Sequence, residues 1–158
     1  DELYRRKDRI YFPLVREQGV PRPGLLRLLA DLKESGVACA LATSARRVNA
    51  EFILDLFGLR HFFAVTLALE DVICVKPHPE VFLLALERLS AQPHRAVVLE
   101  DAPKGVRAAV DAGIPVVAVP TPWTRHCRFD DAALIVESLE DLSVSKLNSL
   151  LPKKERLS

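Results

Sequence analysis

Methionine is absent from this chain of 158 residues, tryptophan occurs once, and cysteine occurs only at Cys39, Cys74 and Cys127. An odd number of cysteines without CxxC spacing excludes a disulfide scaffold and a zinc-ribbon arrangement, and points to reduced thiols in a cytoplasmic protein. No apolar run approaches the roughly 20 residues that a membrane-spanning helix needs, and no signal-peptide pattern opens the chain. Neither sign of charge dominates: 22 Lys and Arg face 21 Asp and Glu, a net charge of +1. Nucleic acid and an anionic membrane are therefore not the expected partners. The glycine-rich Gly-x-Gly-x-x-Gly and Gly-x-x-x-x-Gly-Lys loops of nucleotide-binding domains are also missing. The lack of methionine leaves no initiator, and the start at Asp1 falls inside a charged, helix-prone segment; the expectation is that a front end precedes these residues. What is present, 49% hydrophobic and 27% charged residues, suits one globular domain with a sizeable core.

Apolar periodicity divides the chain into alternating elements. Residues 2–17 read as a helix, kinked or interrupted at Pro13, where an interior proline removes a hydrogen bond. Pro21, Pro23 and Gly24 make a connection, and Leu25–Ser35 places Leu25, Leu28, Leu29 and Leu32 on one helical face. Val37–Ala42 has strand character, and Ser44 is a candidate cap for a helix over Arg46–Phe57. Further strands are expected at Phe63–Leu67, Ala96–Leu99, Pro115–Val119 and Ala133–Val136. Helices are expected at Glu80–Leu89 and Pro103–Ala112, with a last one capped by Ser138 and a frayed tail over Pro152–Ser158. Apolar strands alternating with amphipathic helices predict a three-layer, Rossmann-like α/β/α domain around a parallel sheet.

Polar residues punctuate the strand ends. Val97-Val98-Leu99 runs into Glu100-Asp101 just before a helix start, and the carboxyl ends of parallel strands are where open α/β sheets bind ligands. Adjacent carboxylates there suit a hard cation such as Mg²⁺. Thr43-Ser44 closes another strand, and Lys76 precedes Pro77. Each has a plainer reading: Thr43 and Ser44 as helix caps, Lys76 as a solvated cation, Asp101 as a cap for the helix at Pro103, and Glu100 as a partner for Lys76. Arg46 and Arg47 lie close enough to Thr43 for bidentate phosphate contacts, or they belong to a solvated helix face. His78, His94 and His126 lack metal-ligand spacing, and Trp123 either flanks a pocket or packs a loop.

Taken in order, Leu41-Ala42-Thr43-Ser44, Lys76-Pro77-His78-Pro79-Glu80-Val81-Phe82 and Leu99-Glu100-Asp101-Ala102-Pro103-Lys104-Gly105-Val106 resemble the haloacid dehalogenase superfamily. The match is to its helical-cap phosphatase and phosphoglucomutase-like branch, from Pro23 to about Leu142. The resemblance implies that Thr43, with Ser44 and Arg46 beside it, binds a phosphoryl group. It further implies that Lys76 neutralises charge in catalysis and that Asp101 and Glu100 hold Mg²⁺. Two departures stand out: Ile73-Cys74-Val75 replaces a polar, glycine-containing approach to the lysine, and Ala102 stands where serine is frequent.

The family's nucleophile and acid/base form an Asp-x-Asp pair on its first strand, and no Asp here has another two positions later. Loss of that strand would leave the strands ending at Thr43 and Glu100 about 10 Å apart, twice the usual spacing, unless the sheet refolds to close the gap. Residues 1–18 then correspond to the end of the helical cap and 19–158 to the core domain. The expected function is that of a Mg²⁺-dependent phosphohydrolase or phosphomutase acting on a small phosphorylated metabolite such as a sugar phosphate, in a chain that is itself inactive. The alternative is a non-catalytic relative that binds a phosphometabolite or a protein partner. The sequence carries no sign of oligomeric state.

Overall fold

The computed structural model describes residues 2–152. Among these residues six α-helices and five strands follow in order: α1 (Glu2–Gln18), α2 (Leu25–Glu34), β1 (Ala40–Ala42), α3 (Arg47–Leu56), β2 (Val65–Leu67), α4 (Glu80–Leu89), β3 (Val98–Glu100), α5 (Pro103–Asp111), β4 (Val116–Ala118), β5 (Leu134–Ile135) and α6 (Val144–Asn148). All strand pairs are parallel. β1 pairs with β2, placing Leu41 opposite Thr66, and β4 lies between β3 and β5, with Val117 opposite both Leu99 and Leu134.

The alternation of strand side chains builds the three layers. Val116 and Ala118 of β4 enter a core with Phe82 and Leu86 of α4 and Val106 and Ala109 of α5. Val117 and Val119 point to the opposite face, where they meet Leu28 and Leu32 of α2, Leu147 of α6, and Leu142 just before α6. The same face continues under β1, where Leu29, Leu54 and Leu59 enclose Leu41. The expected α2 stripe is therefore the buried one: Leu28, Leu29 and Leu32 are buried, while Leu26 is exposed. Gly24 starts this helix at φ +82°, and a Cβ there would lie 2.5 Å from the Glu140 backbone nitrogen. Only glycine fits that approach of α2 to the turn at Leu139–Asp141.

Between β1 and β3 the ladder is interrupted. Among the described residues the strands form two separate sheets, β1-β2 and β3-β4-β5. The alternative, a refolded sheet that joins them by backbone hydrogen bonds, does not occur among these residues. The interruption registers in burial: β4 is buried throughout, whereas β1 is only half-buried and Leu99 at the centre of β3 is 37% exposed.

Several local expectations are corrected. α1 is continuous through Pro13. The bond lost there is the one to the Arg9 carbonyl, and Arg9 is exposed, so water can take that acceptor. The strands are shorter than their apolar runs; the Val37 nitrogen, for instance, is claimed by the Leu32 carbonyl at the end of α2. Ser138 caps the short turn at Leu139–Asp141, and Ser143 caps α6. Ser44 does not cap α3, whose first residue is preceded by Arg46 without a side-chain cap. Of the tail expected to fray, residues 153–158 lie outside the described residues.

Leu28, 1% exposed, sits where α2 closes the core. Leu28→Ala is expected to cost about 2–5 kcal/mol in urea denaturation, whereas Leu26→Ala on the exposed side should stay within about 0.5 kcal/mol.

Candidate active site

Lys76 joins the two sheets. Its ammonium donates to the Ala42 carbonyl at 3.0 Å, at the carboxyl end of β1, and to the Glu100 carboxylate at the carboxyl end of β3. The ring of Phe82 lies 4.6 Å from the same nitrogen, a favourable cation–π distance. The pair is nearly withdrawn from water, with side-chain exposures of 7% and 10%. Lys76 is therefore not a solvated cation, and Glu100 pairs with it where the strand ends converge. Removing one charge from such a pair strands the other in a poorly solvated place, at a cost of about 3–5 kcal/mol.

What lets Glu100 lie there is a missing side chain. Gly105 sits buried within the first turns of α5, and a Cβ on it would come 2.0 Å from the Glu100 carboxyl carbon. Glycine in a helix interior costs up to about 1 kcal/mol relative to alanine; here it makes room for the carboxylate. Asp101 has a different fate. It is exposed, and among the described residues its carboxylate has neither an ion-pair partner nor a donated hydrogen bond. It does not cap α5, which begins at Pro103 after Ala102 with no side-chain cap. An open carboxylate at a strand end is the type of oxygen donor that could hold Mg²⁺, whereas Glu100 is committed to Lys76.

Thr43 follows β1 directly, its nitrogen bonded to the Leu67 carbonyl at 2.9 Å. The Thr43 hydroxyl accepts from the Ala45 nitrogen at 3.1 Å, so it shapes the turn into α3. Thr43 and Ser44 line a recess with Val75 and Lys76 of about 10 Å³, the space of a single water. Arg46, expected beside the phosphate, bonds Asp8 of α1 at 3.0 Å. The same helix packs on α3 through Phe12 and Phe52, whose rings are 4.5 Å apart. Arg47 turns to Asp71, and its backbone nitrogen bonds Glu70 at 2.8 Å. The structure thus brings Thr43, Ser44, Lys76 and Glu100 together, sets Asp101 next in sequence, and engages both arginines with carboxylates.

The path of the lysine loop is set by Glu80. Its two oxygens accept from the Ile73 nitrogen at 2.7 Å and the Cys74 nitrogen at 2.8 Å. Those two bonds, Ile73 first, hold the Glu80 carboxyl below its ordinary range. Their stabilisation is present above the ordinary carboxylate pKa and is lost as pH falls through the lowered one. The Lys76–Pro77 bond within this loop is cis. Trp123 stands largely exposed in the loop after β4, with its backbone nitrogen bonded to the Thr121 hydroxyl.

Three supporting residues escaped the sequence reading. Gly105 carried one signal, a glycine placed early in a helix where alanine would serve better. Glu70 and Asp71 carried none, because they act on α3 from a turn more than twenty residues away.

With this geometry established, the chain can be placed. A sequence model of the haloacid dehalogenase-like hydrolases matches residues 6–119, and the chain belongs to that family. Among curated relatives, Protein CbbY of Cereibacter sphaeroides is 35% identical over 145 residues, 89% of this chain and 63% of that protein. Hexitol phosphatase A of Escherichia coli is 35% identical over 124 residues, 78% of this chain and 56% of that protein. The chain therefore spans less than two thirds of either relative. The crystal structure of CbbY from Rhodobacter sphaeroides in complex with phosphate superposes with a TM-score of 0.86 at 34% identity, covering 93% of this chain and 68% of that one.

Gly105→Ala separates helix propensity from site geometry. Because the added methyl must expel the Glu100 carboxylate from beside Lys76, the variant should lose at least about 1 kcal/mol in chemical denaturation, despite alanine's better propensity. In a Glu100→Ala background the same substitution should stabilise by up to about 1 kcal/mol. Stabilisation in the parent chain would show that the carboxylate is not held against the helix.

Proposed function

We propose that this chain carries the phosphate- and Mg²⁺-binding side of a phosphatase or phosphomutase for small phosphorylated sugars. The substrate class rests on the relatives: hexitol phosphatase A, a Thermotoga maritima phosphorylated carbohydrates phosphatase, and CbbY crystallised with xylulose-1,5-bisphosphate. In this reading the Thr43 hydroxyl and the backbone that follows it orient the phosphoryl oxygens. The Lys76 ammonium, fixed by the Ala42 carbonyl and Glu100, faces the charge of the transferring group. Arg46, bonded to Asp8 through one of its five donors, is a further candidate beside Thr43.

The observation that carries the proposal is the charge at the strand ends. One ammonium and two carboxylates, Lys76 with Glu100 and Asp101, leave an excess of one negative charge, and a phosphoryl dianion adds two more. Such a site binds phosphate more tightly once a further cation is present. Asp101, exposed and unpartnered, is the residue suited to hold it, with Glu100 acting through Lys76. Mg²⁺ bound there supplies the missing positive charge. The attacking carboxylate of the family is an Asp-x-Asp residue, which this chain does not contain. Its own residues bind and orient, and on this reading the chain alone turns over no sugar phosphate.

Isothermal titration of inorganic phosphate into the chain tests this. Phosphate should bind at least about tenfold more tightly with Mg²⁺ than without. Asp101→Asn should remove that dependence, and Thr43→Ala should weaken binding in either condition. Affinity indifferent to both Mg²⁺ and Asp101→Asn would contradict the assignment. So would phosphate release from a sugar phosphate by the chain alone.

A further inference from the structure

The loop that delivers Lys76 inward also exposes a second set of donors. Two residues to either side of the buried ammonium, Cys74 and His78 are exposed, and Glu80 follows at the start of α4. One ligand atom from each of Cys74, His78 and Glu80 falls within 4.8 Å of the others, and His78 Nδ1 lies 3.9 Å from Glu80 Oε2. Zinc bonds of about 2.0–2.3 Å in tetrahedral geometry set donors roughly 3.3–3.7 Å apart. A closure of about an ångström by exposed side chains would complete the set.

We propose that Cys74, His78 and Glu80 form a site for Zn²⁺, distinct from the Mg²⁺ position at Asp101. The donor chemistry decides the metal. A thiolate, an imidazole nitrogen and a carboxylate oxygen suit a borderline ion, while Mg²⁺ requires oxygen ligands in near-octahedral array. Three protein donors leave a fourth position for water. The donors are also partly oriented in advance. Glu80 is anchored by the Ile73 and Cys74 backbone nitrogens at 2.7 and 2.8 Å, and each carboxylate oxygen keeps a lone pair beyond the one those bonds use. His78 Nδ1 accepts from the Glu80 nitrogen at 3.3 Å, so that atom presents a lone pair toward Glu80. It can exchange this long bond for a metal. An ion held here would tie residue 74 to residue 80 and close the loop around Lys76 into a ring.

Titration of the 158-residue chain with Co²⁺ in excess Mg²⁺ tests the site. The expected result is a thiolate-to-cobalt charge-transfer band in the near ultraviolet that saturates at one equivalent and is displaced by Zn²⁺. Cys74→Ser and His78→Ala should each abolish the band and weaken Zn²⁺ binding on the order of 100-fold. Both side chains are exposed, and circular dichroism should report an unchanged fold. Cys39→Ser, Cys127→Ser and Asp101→Asn should retain the band, the last separating this site from the phosphate reading. Absence of the band, its survival in Cys74→Ser, or its loss in Cys127→Ser would overturn the proposal.

Discussion

The arrangement depends on one buried contact, the ammonium of Lys76 between the Ala42 carbonyl and the Glu100 carboxylate. The two sheets share no backbone hydrogen bond among the described residues, so at the level of the site this contact joins the end of β1 to the end of β3. Its value is positional. A buried ion pair is often no more stabilising than apolar groups of the same volume, and the gain here is a cation fixed beside Thr43 and Ser44. Phosphoryl transfer uses charge held in place beforehand, because a preorganised charge needs no rearrangement as the transition state forms.

Other features of the site support that contact. Gly105 gives up helix propensity to admit the Glu100 carboxylate. Glu80 gathers the Ile73 and Cys74 nitrogens so that the loop enters the site on a defined path. Glu70 and Asp71 take the amide and guanidinium of Arg47 and so orient the start of α3 behind Thr43. None of these residues needs to touch a substrate to matter. Each holds a partner whose alternative positions would be solvated and mobile.

The layers were legible in the sequence because they follow from local periodicity. The Leu28, Leu29 and Leu32 stripe, the Glu80 start of α4 and the Pro103 start of α5 all fell where spacing and breakers put them. The site was legible as three motifs in order, with Lys76 paired to Glu100 as one of the open readings. Long-range electrostatics were not legible. Nothing local to Arg46 reveals that Asp8, on a helix 38 residues earlier, would bond it. Nothing near Ser44 shows that Glu70 would serve the amide at the start of α3. Cys74 and His78 lacked recognisable metal spacing because their proximity to Glu80 comes from the fold of one short loop.

The central claim is that the ends of β1 and β3 act as one binding surface through Lys76. Amide chemical shifts recorded while inorganic phosphate is titrated in the presence of Mg²⁺ address it directly. The account predicts that Thr43, Ser44 and Ala45 move together with Asp101 and Ala102, with a common dissociation constant. Movement confined to one strand end, or two independent dissociation constants, would contradict it.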